Sequence, residues 1–149
     1  MTDFSYLNVD NAYKLINQKV TKTPLVTNDY INNLLEAEIY FKLENLQNTG
    51  SFKLRGATHK ITKLIETVKD SGVVAYSSGN HAQAVAYASM INSISAKIIM
   101  PKTAPQIKIE NTKNYGAEVI LYDTYFQNRE EIGIEIQKKD NRALIKLSL

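Results

Sequence analysis

Apolar residues at Val9, Ala12, Tyr13 and Ile16 recur at the spacing of one helix face, which predicts a helix over Val9–Lys19. Thr23-Pro24-Leu25 is read as its stop, because proline cannot continue a helix. Between Glu38 and Leu43 the period shortens to two. Ile39, Phe41 and Leu43 alternate with Tyr40 and Lys42, the pattern of a half-buried strand. Gly50-Ser51 then opens a helix to about Ile65, with Ser51 as its N-cap.

From Gly72 onward the chain alternates short apolar runs with helical stretches. Gly72–Tyr76 reads as a strand, and Asn80 to about Ile91, rich in alanine, reads as a helix. Ala96–Met100, Glu118–Leu121 and Ala143–Ile145 are predicted strands; Pro105–Tyr115 and Phe126–Lys138 are predicted helices. Such alternation implies βαβ units: an α/β fold with an open, mainly parallel sheet and helices on both faces, in three layers. Composition places a soft boundary near residue 70. In open parallel sheets ligands sit beyond the carboxyl ends of strands, where the next helix begins. Ser77-Ser78-Gly79-Asn80 occupies such a position.

Composition narrows the function classes. At 149 residues, 44% hydrophobic and 22% charged, the chain reads as a soluble globular protein of about one ordinary domain. Its net charge of +3 comes from scattered lysines, with no run of like charges of the kind nucleic-acid binding would leave. No apolar run approaches a membrane span, and no charged-then-apolar start suggests a secretory signal. There is no cysteine, which removes disulfides, thiol catalysis and cysteine metal sites. With only two histidines and no ligand spacing, no metal site is expected. The expected compartment is the cytoplasm.

The candidate chemistry starts at Lys53, the lysine of Asn48-Thr49-Gly50-Ser51-Phe52-Lys53-Leu54-Arg55-Gly56-Ala57, at the mouth of a predicted helix. Helix starts carry partial positive charge, so an ammonium there is mildly disfavoured. Burial would disfavour it further, which is how an amine becomes a nucleophile towards an aldehyde. A solvated surface lysine is the plain alternative. After the Val73–Tyr76 run, Ser77, Ser78, Gly79 and Asn80 could cradle an anion at a helix start. The same residue types could simply cap the helix, through Ser78 or Asn80, and on residue types alone capping is the commoner role. His81 is read as a polar wall of such a site rather than a base, and His59 as an ordinary helix residue. Phe52 is either core or a wall for a ring. Arg55 needs an acid or a phosphate nearby as its partner, and the sequence names neither. No Walker loop, dinucleotide G-x-G-x-x-G or Ser-His-Asp arrangement is present.

Ser51-Phe52-Lys53-Leu54-Arg55-Gly56-Ala57 resembles the cofactor-lysine motif of the threonine dehydratase and serine racemase family of pyridoxal-phosphate enzymes. Ser77-Ser78-Gly79-Asn80-His81-Ala82-Gln83-Ala84 resembles that family's substrate-carboxylate loop. Met100-Pro101-Lys102-Thr103-Ala104-Pro105 and Tyr115-Gly116-Ala117-Glu118-Val119 resemble its P-x-x-A-P turn and GA-x-V strand entry. The four motifs stand in the family's order across nearly the whole chain.

The resemblance implies the fold type II, tryptophan synthase beta-like architecture. Residues 1–70 would be the first part of the large cofactor domain and 71–149 the small α/β domain. It implies pyridoxal 5'-phosphate as cofactor, held by Lys53, Phe52 and Asn80, with Asn80 bonding the ring hydroxyl. Ser77, Ser78, Gly79, Asn80 and His81 would receive the carboxylate of L-threonine or L-serine. Lys53 would be the catalytic base, and Ser78 could carry a proton on the opposite face. The implied activity is an ammonia-lyase giving a 2-oxo acid and ammonia. A serine racemase-like reaction, or a non-catalytic remnant docked on a full-length homologue, are the alternatives.

The chain also departs from the family. It corresponds to the N-terminal half, and its six glycines include no adjacent pair to form the family's phosphate loop. Leu144-Ile145-Lys146-Leu147-Ser148-Leu149 lacks the usual His-Pro. A truncated chain inactive alone is therefore expected, associated with itself, with the missing half or with a full-length homologue.

Overall fold

The computed structural model describes residues 5–146. The closing residues Leu147, Ser148 and Leu149, read above for the lack of His-Pro, lie outside them. Helix α1 spans Tyr6–Ile16. It begins earlier than Val9 because the Ser5 side chain accepts the Asn8 N–H, and it ends at Asn17, before the Thr23-Pro24 stop is reached. Strands β1 (Leu25–Thr27) and β2 (Tyr40–Lys42) form an antiparallel pair. Between them lies α2 (Asp29–Leu35), capped by Asn28, which the apolar pattern did not announce. The strand predicted over Glu38–Leu43 is thus only three residues long, and all three are exposed, so its alternation is not one of burial.

Helix α3 runs Lys53–Val68. The expected cap is corrected here: Phe52 is the N-cap, without a side-chain hydrogen bond, and the buried Ser51 hydroxyl has no partner. The Ser51 and Phe52 carbonyls instead accept from Leu54 and Arg55 in a tight first turn.

The remaining elements follow the predicted alternation: β3 (Val73–Tyr76), α4 (Asn80–Met90), β4 (Ala96–Pro101), α5 (Gln106–Asn114), β5 (Glu118–Tyr122), α6 (Arg129–Asp140) and β6 (Ala143–Leu144). Helix α6 starts at Asn128, whose side chain accepts the Glu130 N–H, so Phe126 stays outside it and 88% exposed. The four strands are parallel in the order β5-β4-β3-β6.

Helices cover both faces. Val73, Ala75, Ile98 and Met100 turn towards α3, α4 and α5, whereas Val74, Ile99 and Tyr122 turn towards Ile132 and Ile136 of α6. Gly133 lets α6 approach closely, since a Cβ there would stand 3.1 Å from the Tyr76 ring. Gly72 turns the chain into β3 with φ +81, a conformation that favours glycine. Leu54, Ala57, Ile61 and Val68 of α3 belong to the same core cluster as the sheet.

Helix α4 is buried almost all round, from His81 through Ala86 and again at Ala88 and Ser89. A helix without a solvent face belongs between other elements, and its alanines let α3 and α5 come close. Ala84 has no exposure. Ala84→Leu is therefore expected to destabilise the fold by about 1–3 kcal/mol through overpacking. Urea unfolding measures this, and an unchanged midpoint would contradict so tight a seat for α4.

Candidate functional site

The start of α3 is fixed by a polar network that the sequence could not name. Arg55 lays its guanidinium on Glu44, with Nε 3.0 Å from Oε2 and Nη2 2.7 Å from Oε1. Nη2 also donates to the Thr21 carbonyl at 3.1 Å, and the Thr23 hydroxyl donates to Glu44 at 2.5 Å. Gln47 closes the same loop by accepting from the Thr21 N–H at 2.8 Å and donating to its carbonyl at 2.9 Å. A two-pronged guanidinium–carboxylate contact fixes orientation as well as distance. The hydrogen bond from Arg55 holds the Glu44 carboxyl below the usual carboxylate range, against the opposing effect of partial burial.

Lys53, two residues before Arg55, is half-buried in the first turn of α3. Its ammonium stands 4.7 Å from the centroid of the Phe52 ring. Among the described residues it has no hydrogen bond and no ion pair. Phe52 is 59% exposed, so it is not core. Both residues line a cleft of about 330 Å³ between α3, the start of α4 and the end of β6. Among the described residues its lining includes Lys60, Lys146, His59 and His81 but no carboxylate, which gives the cleft the electrostatic character of an anion site.

The Ser77–His81 segment forms the turn from β3 into α4. Ser77 extends the ladder by donating its N–H to the Ile99 carbonyl at 3.1 Å, and its hydroxyl accepts from the Gly79 N–H at 3.3 Å. Gly79 is the N-cap of α4 and no side chain caps the helix. The capping role weighed for Ser78 or Asn80 is therefore not taken by either. Asn80 opens the first turn, and its Oδ1 accepts from Lys108 Nζ at 2.8 Å. His81 is buried, with Nε2 3.5 Å from the Ile145 carbonyl. Burial lowers its pKa, the Ile145 carbonyl raises it, and the nearby Lys53 charge lowers it again, with a net downward shift.

Phe52, Lys53 and His81 thus share one cleft, and Ser77, Ser78, Gly79 and Asn80 form the turn beside it without lining its wall. Lys60 and Lys146 on that wall were not singled out from the sequence, and His59 was read there only as an ordinary helix residue. Two signals could have found them. Residues 53, 56, 57 and 60 share a helix face, and Ile145-Lys146 follows the carboxyl end of a parallel strand. Among the described residues no cluster of three His, Cys, Asp or Glu side chains could hold a metal.

Comparison with known proteins gives this geometry a context. The model of the pyridoxal-phosphate dependent enzyme family matches residues 16–147. L-threo-3-hydroxyaspartate ammonia-lyase of Saccharomyces cerevisiae is 43% identical over 141 residues, covering 95% of this chain and 43% of that protein. L-threonine ammonia-lyase of Thermotoga maritima is 43% identical over 138 residues, covering 93% of this chain and 34% of that protein. The solved structure of maize serine racemase superposes with a TM-score of 0.88 at 36% identity, over 93% of this chain and 42% of that one. The chain spans less than half the length of each of these relatives.

Two outcomes follow from the electrostatics. Because the folded Glu44 carboxyl is more acidic than the unfolded one, its stabilisation is complete above the unfolded pKa and lost as pH falls through the folded one. Glu44→Gln should then cost about 1–3 kcal/mol near pH 7 and progressively less towards about pH 3. Paired denaturation curves check this, and a pH-independent difference would contradict it. For His81, an NMR titration should give a midpoint below that of a free imidazole, with the ring neutral near pH 7. A midpoint above the free value would show that the ring is not desolvated.

Proposed function

Since the chain belongs to the pyridoxal-phosphate-dependent enzymes, we propose that it supplies the lysine-bearing part of an ammonia-lyase acting on L-threonine or L-serine. The observation that carries this reading is the Lys53 amine, half-buried where α3 and α4 begin, in a cleft where the described residues offer it no ion pair and no carboxylate. The residues fit the cofactor. A primary amine without a competing acid can bond an aldehyde, Phe52 offers a ring face beside it, and the cationic lining suits a phosphate ester. The cavity size falls at the lower end of ligand pockets, roughly 300–1,000 Å³.

Bound pyridoxal phosphate supplies an electron sink that stabilises negative charge on the α-carbon of an amino acid. The chain's own residues would do the rest. Lys53 Nζ anchors the cofactor and, once free, takes the α proton. Phe52 and Asn80 orient the cofactor, and Ser77, Ser78 and Gly79 bind the substrate carboxylate through a turn of small residues. His81, kept neutral by burial, walls that turn without competing for the proton. Loss of the β-hydroxyl and then hydrolysis leave a 2-oxo acid and ammonia. The exposed Ser78 is the residue through which a racemase-like reaction would be read, because racemisation needs a proton donor on the second face.

The division proposed near residue 70 is one of role. Residues 1–70 carry the cofactor lysine, and residues 71–149 carry the carboxylate turn on its parallel sheet. The cytoplasm is the proposed compartment, in keeping with an amino-acid substrate; among the described residues no helix is long and apolar enough to cross a membrane.

A second reading, a chain that works by association, draws on the first part of the fold. Helix α2 and strands β1 and β2 bury no residue, and Leu25, Tyr30, Leu34 and Tyr40 are each more than half exposed. A full-length homologue, or a polypeptide equivalent to the remainder of the relatives' length, would cover them.

Incubation with pyridoxal phosphate, borohydride reduction and peptide mapping should label Lys53 above all other lysines. Label spread evenly over surface lysines would sink the reading. The chain alone is expected to form no more 2-oxobutanoate from threonine than its Lys53→Ala form, because no adjacent glycines hold the phosphate. A slip of about 1 Å in such positioning can cost roughly a hundredfold in rate. Supplying the remaining segment of a relative should restore turnover that depends on Lys53.

A further inference from the structure

Asn80 is the first residue of α4, and the hydrogen bond it receives from Lys108 of α5 settles which way its amide faces. A lysine ammonium has three donors and no acceptor. It can engage only the amide oxygen, so at 2.8 Å from Lys108 Nζ the Oδ1 atom is committed to α5. The NH2 group then faces elsewhere, with no partner among the described residues. One helical turn further on, the contact repeats: Asn111 Nδ2 of α5 donates to Gln83 Oε1 of α4 at 3.1 Å. The buried Gln83 Nε2 is likewise left without a partner. Lys108 itself sits on a braced turn, since the Thr112 hydroxyl donates to its carbonyl at 2.7 Å. Along this seam α5 supplies donors and α4 supplies amide oxygens.

We infer that Lys108 is a positioning residue that presents Asn80 to a bound ligand as a hydrogen-bond donor only. The matching ligand atom is an acceptor, such as an ionised ring oxygen, and a ligand offering a hydroxyl proton at that place is disfavoured. This rests on the reading of Asn80 as a cofactor-orienting residue. Lys108 touches neither cofactor nor substrate in this scheme and acts through the amide alone.

The test compares binding of pyridoxal 5'-phosphate and of its analogue lacking the ring hydroxyl, by calorimetry on the intact chain. Lys108→Met should weaken the parent cofactor roughly three- to tenfold, the worth of one modest hydrogen bond, and leave the analogue unchanged. Lys108→Arg, which still donates to Oδ1, should restore parent binding. Equal weakening of both ligands would mean that Lys108 acts only as a charge or a structural brace. No weakening of either would mean that it does not act at all, and either result overturns the inference. Thermal melts of each variant separate unfolding from a local effect. Binding of the parent cofactor that is absent, or indifferent to Lys53→Ala, would overturn the cleft's assignment and this inference with it. Lys53-dependent binding with no discrimination between the two ligands would overturn the inference alone.

Discussion

The burial of α4 is the constraint on which the rest of this fold turns. Its alanines present little more than backbone to the helices around it, so α3 and α5 seat against it while it lies on β3 and β4. Leucines at those positions would push the helices apart. Close packing then decides where the ends of the elements fall. The start of α4 must lie beside the start of α3, and this brings the turn after β3 next to Lys53. Precision at the cleft is inherited from packing that has no polar character of its own.

Polar contacts refine what packing brings together. Arg55 ties α3 to Glu44 and the Thr21–Thr23 loop only two residues from Lys53, so the lysine's backbone is held while its side chain stays unpaired. The acid goes to the arginine and the lysine is left with an aromatic face. Reversing that allocation would tie the amine on which the proposed chemistry depends to a competing carboxylate. His81 fits the same logic: a second full charge beside Lys53 would be repelled, and burial keeps the imidazole neutral instead.

Much of this was legible in the sequence, and the reason differs along the chain. Strands β3 and β4 are largely buried, so their apolar runs stand out against the helices between them, and the apolar run Val119-Ile120-Leu121 marks β5 although it lies at the sheet edge and is only partly covered. The places of Lys53 and of the Ser77–His81 turn were legible because each stands where a helix begins, the second directly after a buried strand. The first forty residues were less so. A seven-residue helix without a buried residue and two exposed three-residue strands carry no burial period to read. The Ser51 cap failed because a serine's preference for capping is a local propensity, and here tertiary packing buries the side chain instead. The contacts of Arg55 with Glu44 and of Lys108 with Asn80 join residues distant in sequence, and no periodicity encodes them.

Gly56 lies where α3 borders the Lys53 cleft. It lies inside α3, where glycine is about 1 kcal/mol worse than alanine, and its backbone conformation needs no glycine. Nor does crowding explain it, because a Cβ there would meet nothing within 4 Å. Gly56, like His59 one turn on, lines two openings at once: the Lys53 cleft and an apolar groove beside Val9, Tyr13 and Ile16 of α1. A side chain would occupy that shared edge. Under the proposed function, the space left there would admit a ligand on one side and a covering polypeptide on the other. Both of those occupants belong to the proposed function, whereas neither contributes to the fold of the chain by itself.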